Sequence, residues 1–167
     1  MNRADLQSFL EFSRRKTLEL IESIAKRPNP KAILAWRPGA GRAHVAWQLM
    51  HIAATDDRHL HVRMKGGAPV DADFVRRFAG GSVPDDDIPT METIRSYLAD
   101  RRAELLAHLQ GLAESDLAKK PNDQAPWAYQ DWFQLLTWHE AHHQGQAHLT
   151  LNLWRIANDP AMEKVGH

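Results

Sequence analysis

The sequence predicts an all-α protein built as a four-helix bundle with long connections. Ala and Leu supply 41 of the 167 residues, whereas Val, Ile and Thr together supply 19, a balance that favours helices over strands. Apolar residues recur at spacings near 3.6 along four long segments. Runs rich in Pro, Gly and Asp separate those segments and supply the stops between them.

The first helix is expected over residues 5–26, with Leu6, Phe9, Leu10, Leu20, Ile21 and Ile24 as its apolar stripe, ending before Pro28 and Pro30. The second is expected over residues 41–65, with Gly66-Gly67 as its C-terminal stop. Pro89-Thr90 opens the third, Thr90 being the N-cap, and Ile94, Leu98, Leu105, Leu106 and Leu109 carry it to Gly111. The fourth is expected over residues 128–157, ending before Pro160. The longest connection, residues 66–89, has room for a short helix over 71–78. Its length calls for a crossover from one end of the bundle to the other. Residues 1–160 are read as one domain and residues 161–167 as a polar tail.

Composition narrows the function. The chain carries 21 Lys and Arg against 21 Asp and Glu, so no excess charge calls for nucleic acid or an anionic membrane as a partner. It has no cysteine, which excludes thiolate zinc sites, a cysteine nucleophile and a disulfide framework. Charges interrupt every apolar stretch well short of the roughly 20 residues of a membrane span, and the first residues lack the pattern of a secretory signal. A soluble, cytoplasmic protein with a small-molecule substrate is expected. The ten histidines are the unusual feature.

The fourth helix contains Trp138-His139-Glu140-Ala141-His142-His143-Gln144-Gly145-Gln146. Residues four apart share a helix face, so His139 and His143 can direct their rings at one atom. They fall on the stripe Trp132, Leu135, Leu136, His139, His143, Gln146 and Thr150, which should face the core. Two imidazoles buried there need partners, and a metal ion is an efficient one. His142 points about 100° away from His143, which leaves it supporting the ligands, at a pocket rim or in solvent. His148 lies about 180° from His139 and reads as surface. The second helix offers a third ligand in His51, set among apolar residues in Trp47-Gln48-Leu49-Met50-His51-Ile52. His44 stands one heptad earlier on the same face. His59 and His61 lie among Arg58 and Arg63, where solvent exposure is expected. A lone helical histidine such as His44, His59, His61 or His108 is more often at the surface or locally bonded than a ligand. The six tryptophans are mostly packing.

Two families share such a motif. Read literally, His139-Glu140-Ala141-His142-His143 is an HExxH match, the zincin signature, with Glu140 as general base. Glu163, 20 residues after His143, resembles the third ligand of thermolysin-like peptidases. The metzincin extension fails, because Gln146 and Leu149 stand where it needs Gly and His, and nothing upstream resembles the sheet edge on which zincins hold their substrates. The stronger resemblance is to the DinB-like (DinB/YfiT) family of metal-dependent proteins. It rests on His51 in its stretch and on the H-x-x-x-H-x-G-Q pattern from His139 to Gln146, and it extends to the order and lengths of the helices.

That resemblance implies an up-down-down-up bundle, often a homodimer, and a divalent metal, commonly zinc or nickel, held at His51, His139 and His143. It also implies transfer of a low-molecular-weight thiol such as bacillithiol, mycothiol or glutathione, or hydrolytic chemistry at an open metal position. Glu140 and His142 are then the candidate acid/base groups or ligand supports. A bundle that only binds a partner, its site vestigial, is the reading from another class.

Overall fold

The computed structural model describes residues 1–158, and helices make up all the regular structure among them. Helix α1 spans Arg3–Ala25 and begins with a capping box, in which the Asn2 side chain accepts from the Asp5 N–H and the Asp5 carboxylate accepts from the Asn2 N–H. A short helix that periodicity does not reveal comes next. This α2, Pro30–Ala35, is capped by Asn29 and has Pro at its first position, where a missing N–H does no harm. Helix α3 spans Val45–Asp57 and continues as a π-helix over Arg58–Met64. Helix α4 covers Ala72–Arg77, α5 Met91–Gly111 and α6 Tyr129–Asn158.

The third and fourth bundle helices start and stop where the sequence signals place them: the Thr90 side chain accepts from the Thr93 N–H at the start of α5, and the short helix in the 66–89 connection has Asp71 as its N-cap. The second does not. It was expected from residue 41, but Gly41 adopts φ +70°, a left-handed conformation incompatible with a helical turn. His44 instead caps the helix, its Nδ1 accepting from the Trp47 N–H.

Four long helices form a ring in which α1 packs on α6, α6 on α3, and α3 on α5, with α5 closing on α1. The core pairings give their directions. Leu6 and Leu10 at the start of α1 share a cluster with Leu60 and Met64, with Leu105 and Leu109 at the end of α5, and with Trp132 and Phe133 at the start of α6. Leu20 and Ile24 meet Val45, Leu49, Ile52, Ile94, Leu98, Ala147 and Leu151 in a second cluster. Helices α3 and α5 are therefore parallel to each other and antiparallel to α1 and α6, an up-down-down-up bundle. Parallel neighbours need a crossover, and residues 65–90 supply it. No helix among the described residues is long and apolar enough to cross a membrane.

Between the two apolar clusters lies a charged layer with one residue from each long helix. Arg14, Asp56, Arg102 and Glu140 are all buried. Arg14 Nε donates to Glu140 at 2.7 Å and Arg14 Nη2 to Asp56 at 3.3 Å. Arg102 Nε donates to Asp56 at 3.1 Å, and its Nη2 reaches both Asp56 and Glu140. Further N–H groups of the two arginines bond the carbonyls of Leu98 and Leu10. Two positive and two negative charges compensate one another, the condition under which charge can be held away from water.

The crossover is tied down by a neighbouring buried carboxylate. Asp57 accepts from the Val70 and Asp71 N–H groups at 2.9 and 3.1 Å and from the Tyr97 hydroxyl at 3.1 Å. These bonds hold α4 against α3 and place the segment after α4 over the middle of α3.

Candidate metal centre

His51 and its partners on α6 meet where α3 packs on α6. One ring nitrogen from each of His51, His139 and His143 can be chosen so that all three lie within 4.8 Å of one another. His51 Nε2 and His139 Nε2 are 3.0 Å apart, and the ring centroids of His51 and His143 are separated by 4.4 Å. The sequence thus points to the three histidines that the fold brings together.

The surroundings orient them. His51 is 6 % exposed and stacks on Trp47, one turn earlier, with centroids 4.7 Å apart and planes 11° from parallel. Its Nδ1–H donates to the Phe78 carbonyl at 2.6 Å, which leaves the Nε2 lone pair directed at His139. His143 Nδ1–H donates to Gln48 Oε1 at 2.6 Å and likewise leaves Nε2 as a donor atom for a metal. Bonds of this kind fix the tautomer and ring angle of ligating histidines. Thr55 Oγ1 stands 3.4 Å from His139 Nε2. His51, His139 and His143 are the residues that would hold an ion here, and a three-imidazole set is one that binds zinc.

Burial, helped by neighbouring His143 and His51, pushes the His139 imidazole down to about 2, and burial with His51 pushes His143 down to about 3. Both rings are neutral at pH 7, the form that binds metal. A consequence is measurable without metal. Unfolded imidazoles titrate near 6.5, so below that value the unfolded chain binds more protons than the folded one. Stability is fully present above about pH 6.5 and declines as pH falls, by up to about 1.4 kcal/mol per pH unit for each proton involved. Urea midpoints of the metal-free protein should fall between pH 6.5 and 5, before most carboxylates titrate. A double variant, His139→Gln with His143→Gln, should show a shallower decline. His44, His51, His59 and His108 are also lowered by burial, so some slope remains. Equal slopes in the two proteins would contradict the assignment.

The other candidates lie elsewhere. Glu140, expected as an acid/base group or ligand support, is 0 % exposed and belongs to the charged layer. Burial opposes its charge, but Arg102 and Arg14 outweigh burial and hold its carboxyl below the usual range. Its oxygens are committed to those guanidinium groups, so the structure gives it a scaffold role rather than an acid/base one. The α6 stripe accounts for the difference. The buried residues are Trp132, Phe133, Leu136, Glu140, Ala147, Thr150 and Leu151, and His139 and His143 border this arc. His142 is exposed, stacked on Trp138 at 5.1 Å and bonded to the Gln146 side chain at 2.8 Å; it stands at the rim, outside the three-histidine set.

His44 departs from the expected face. It is buried as the N-cap of α3, with its Nε2–H donating to the Asp85 carbonyl at 3.0 Å. His59 and His61, expected near solvent, are half-buried and bond back to α3 four residues earlier: His59 Nδ1–H to the Thr55 carbonyl at 2.8 Å, and His61 Nδ1–H to the Asp57 carboxylate at 3.0 Å. His108 is half-buried beside the Tyr129 ring, and His148 is exposed as expected. Glu163, the ligand required by the peptidase reading, lies outside the described residues, as does the 161–167 tail.

Gln48, Trp47, Thr55 and the Phe78 carbonyl support the centre and were not singled out by sequence reasoning. Gln48 stands three residues before His51, a spacing that places it on the neighbouring part of the same face. The Phe78 carbonyl carries no side-chain signal at all.

The family model described as the DinB superfamily matches residues 10–147, most of the chain. The chain belongs to the DinB superfamily. A crystal structure of a conserved protein from Enterococcus faecalis superposes with a TM-score of 0.63 at 19 % identity, covering 92 % of this chain and 97 % of that one. At that identity the likeness speaks for the fold. No curated protein matches the chain. Membership in a metal-binding superfamily and a three-histidine cluster able to hold an ion agree with each other.

Proposed function

We propose that this DinB superfamily protein binds zinc or nickel through His51, His139 and His143 and uses the ion in an enzymatic reaction on a small molecule. The observation that carries the reading is the convergence of three oriented imidazoles from two helices, two of them locked by Nδ1–H bonds to Phe78 and Gln48. A bound ion would supply Lewis acidity, able to stabilise a thiolate or activate water near pH 7. The residues of the chain would hold it, keep their own rings neutral and leave a coordination position open. The absence of cysteine means that a thiol reaction would use a small-molecule thiol. Transfer of a low-molecular-weight thiol is the reading we favour, with hydrolysis as the second chemistry that the same centre supports.

Purified protein, stripped of metal and titrated separately with zinc and nickel, should bind one ion per chain. The cobalt-substituted form should then change its visible spectrum on addition of bacillithiol, mycothiol or glutathione. A chain that binds neither zinc nor nickel ends the metal reading. A loaded protein whose spectrum ignores all three thiols ends the thiol-transfer reading and leaves hydrolysis. A homodimer is also proposed: Trp138, Leu149 and Ile156 are exposed on α6 at positions that share one helix face. Sedimentation analysis would show a single species of twice the chain mass.

A further inference from the structure

The centre opens on one side into a cleft of about 250 Å³ between the end of α3, α6 and residues 79–80. This is smaller than the roughly 300–1,000 Å³ of pockets that take drug-sized ligands. Its lining sorts by chemistry. His51 and His139 bring the candidate centre, Ala54, Val75, Ala79 and Leu135 form apolar walls, and Thr55, Arg58 and His59 add polar groups. No Asp or Glu lines it. In a chain whose acidic and basic residues balance, the one formal charge at this cleft is positive.

Arg58 is exposed, and no carboxylate among the described residues pairs with it, unlike Arg14, Arg37, Arg77, Arg95 and Arg102. It opens the π-helix over Arg58–Met64, a rare conformation that occurs disproportionately at functional sites. Its neighbour His59 has Nδ1–H committed to the Thr55 carbonyl, which leaves Nε2 as an acceptor. At the mouth, Gly80 has no side chain, and a Cβ there would stand 3.8 Å from His51 Cε1. A longer side chain at this position would occupy the space in front of the centre.

We propose that this cleft binds a small organic carboxylate, its anionic group paired with Arg58 and its apolar body lying along Ala54, Val75, Ala79 and Leu135. A single planar guanidinium matches a single planar carboxylate. A phosphate dianion would call for more positive charge than the lining offers, and the apolar walls favour a carbon skeleton over a free inorganic anion. The assignment rests on the metal-centre reading, since it places the bound molecule beside His51 and His139, but its test does not depend on metal.

Benzoate and its neutral isostere benzamide are the probes, titrated by NMR against zinc-loaded and metal-free protein. Benzoate should bind wild type more tightly than benzamide in both forms. Arg58→Ala should weaken benzoate about tenfold, the scale of one hydrogen-bonded charge contact, with benzamide and zinc affinities unchanged. Gly80→Leu should exclude both probes while zinc still binds. Equal affinities for the two probes, or benzoate binding untouched by Arg58→Ala, would overturn the proposal. So would inorganic phosphate displacing benzoate at concentrations below those at which benzoate itself binds. Failure to load zinc, with Arg58-dependent benzoate binding intact in the metal-free protein, would remove the metal reading and uphold the carboxylate site.

Discussion

Replacing His139 by alanine should strip the protein of tightly held metal while leaving it folded. His139 belongs to the proposed set, with Nε2 3.0 Å from His51 Nε2 and its ring centroid 4.5 Å from that of His143. Two imidazoles remain in the variant, and one of the three bonds that make a zinc or nickel site is gone. The loss in metal affinity should exceed about 100-fold, the upper end of the cost of removing a group that merely supports a ligand. The stability cost should be small, because His139 borders the buried arc of α6 and fills no part of its apolar clusters. His142→Ala is the matched control: three residues further on and stacked on Trp138 at the surface, it should retain metal at the wild-type level. Competition titration against a chelator reads both. If His139→Ala kept its metal, or His142→Ala lost as much, the ion would lie elsewhere.

The second large effect concerns stability, one residue along the chain. Glu140→Ala should destabilise the fold by about 3–5 kcal/mol, the range for removing one member of a buried ionic network. Arg14 Nε would lose its carboxylate partner and Arg102 Nη2 one of its two, and the charged layer would pass from neutral to net positive inside the bundle. Against a typical total stability of about 5–15 kcal/mol, that loss removes a large share of the reserve. Glu140→Gln keeps the volume and one acceptor oxygen but not the charge, and should fall between wild type and alanine. Urea unfolding at pH 7 measures both, and a loss below about 1 kcal/mol for the alanine variant would refute the account. Under folding conditions either variant should still bind metal. That result would place Glu140 outside the metal ligands and assign its effect to the charged layer.

His139 and Glu140 show how far local pattern reaches. The i, i+4 pair His139 and His143 was legible because helical periodicity is a property of a short window. His51 was legible as a histidine among apolar neighbours deep in a helix. The same window could not show that Glu140 is the more deeply buried residue. Its burial depends on Arg14 and Arg102, which lie 126 and 38 positions away in the chain and reach it only when α1, α5 and α6 assemble. Periodicity also favours apolar residues as markers of the core, so a compensated layer of four charges does not register. His44 and the Arg58–Met64 segment were misread for a related reason. The helix start is set by backbone conformation at Gly41, and the turn over Arg58–Met64 is π-helical; neither feature changes the spacing of apolar residues.

By itself the sequence determined the helical class, the four long helices, the Thr90 cap, the crossover over residues 66–89 with its short helix, and the three histidines that converge. All of these come from interactions within a few turns of one helix or from the chemistry of individual residues. Only the tertiary structure decided the ring tautomers set by Gln48 and Phe78, the sequestration of Glu140, and the cleft that joins Arg58 to the centre. Those depend on backbone carbonyls, on charge pairs between distant segments and on empty space, and none of the three is a property that a residue carries before the chain is folded.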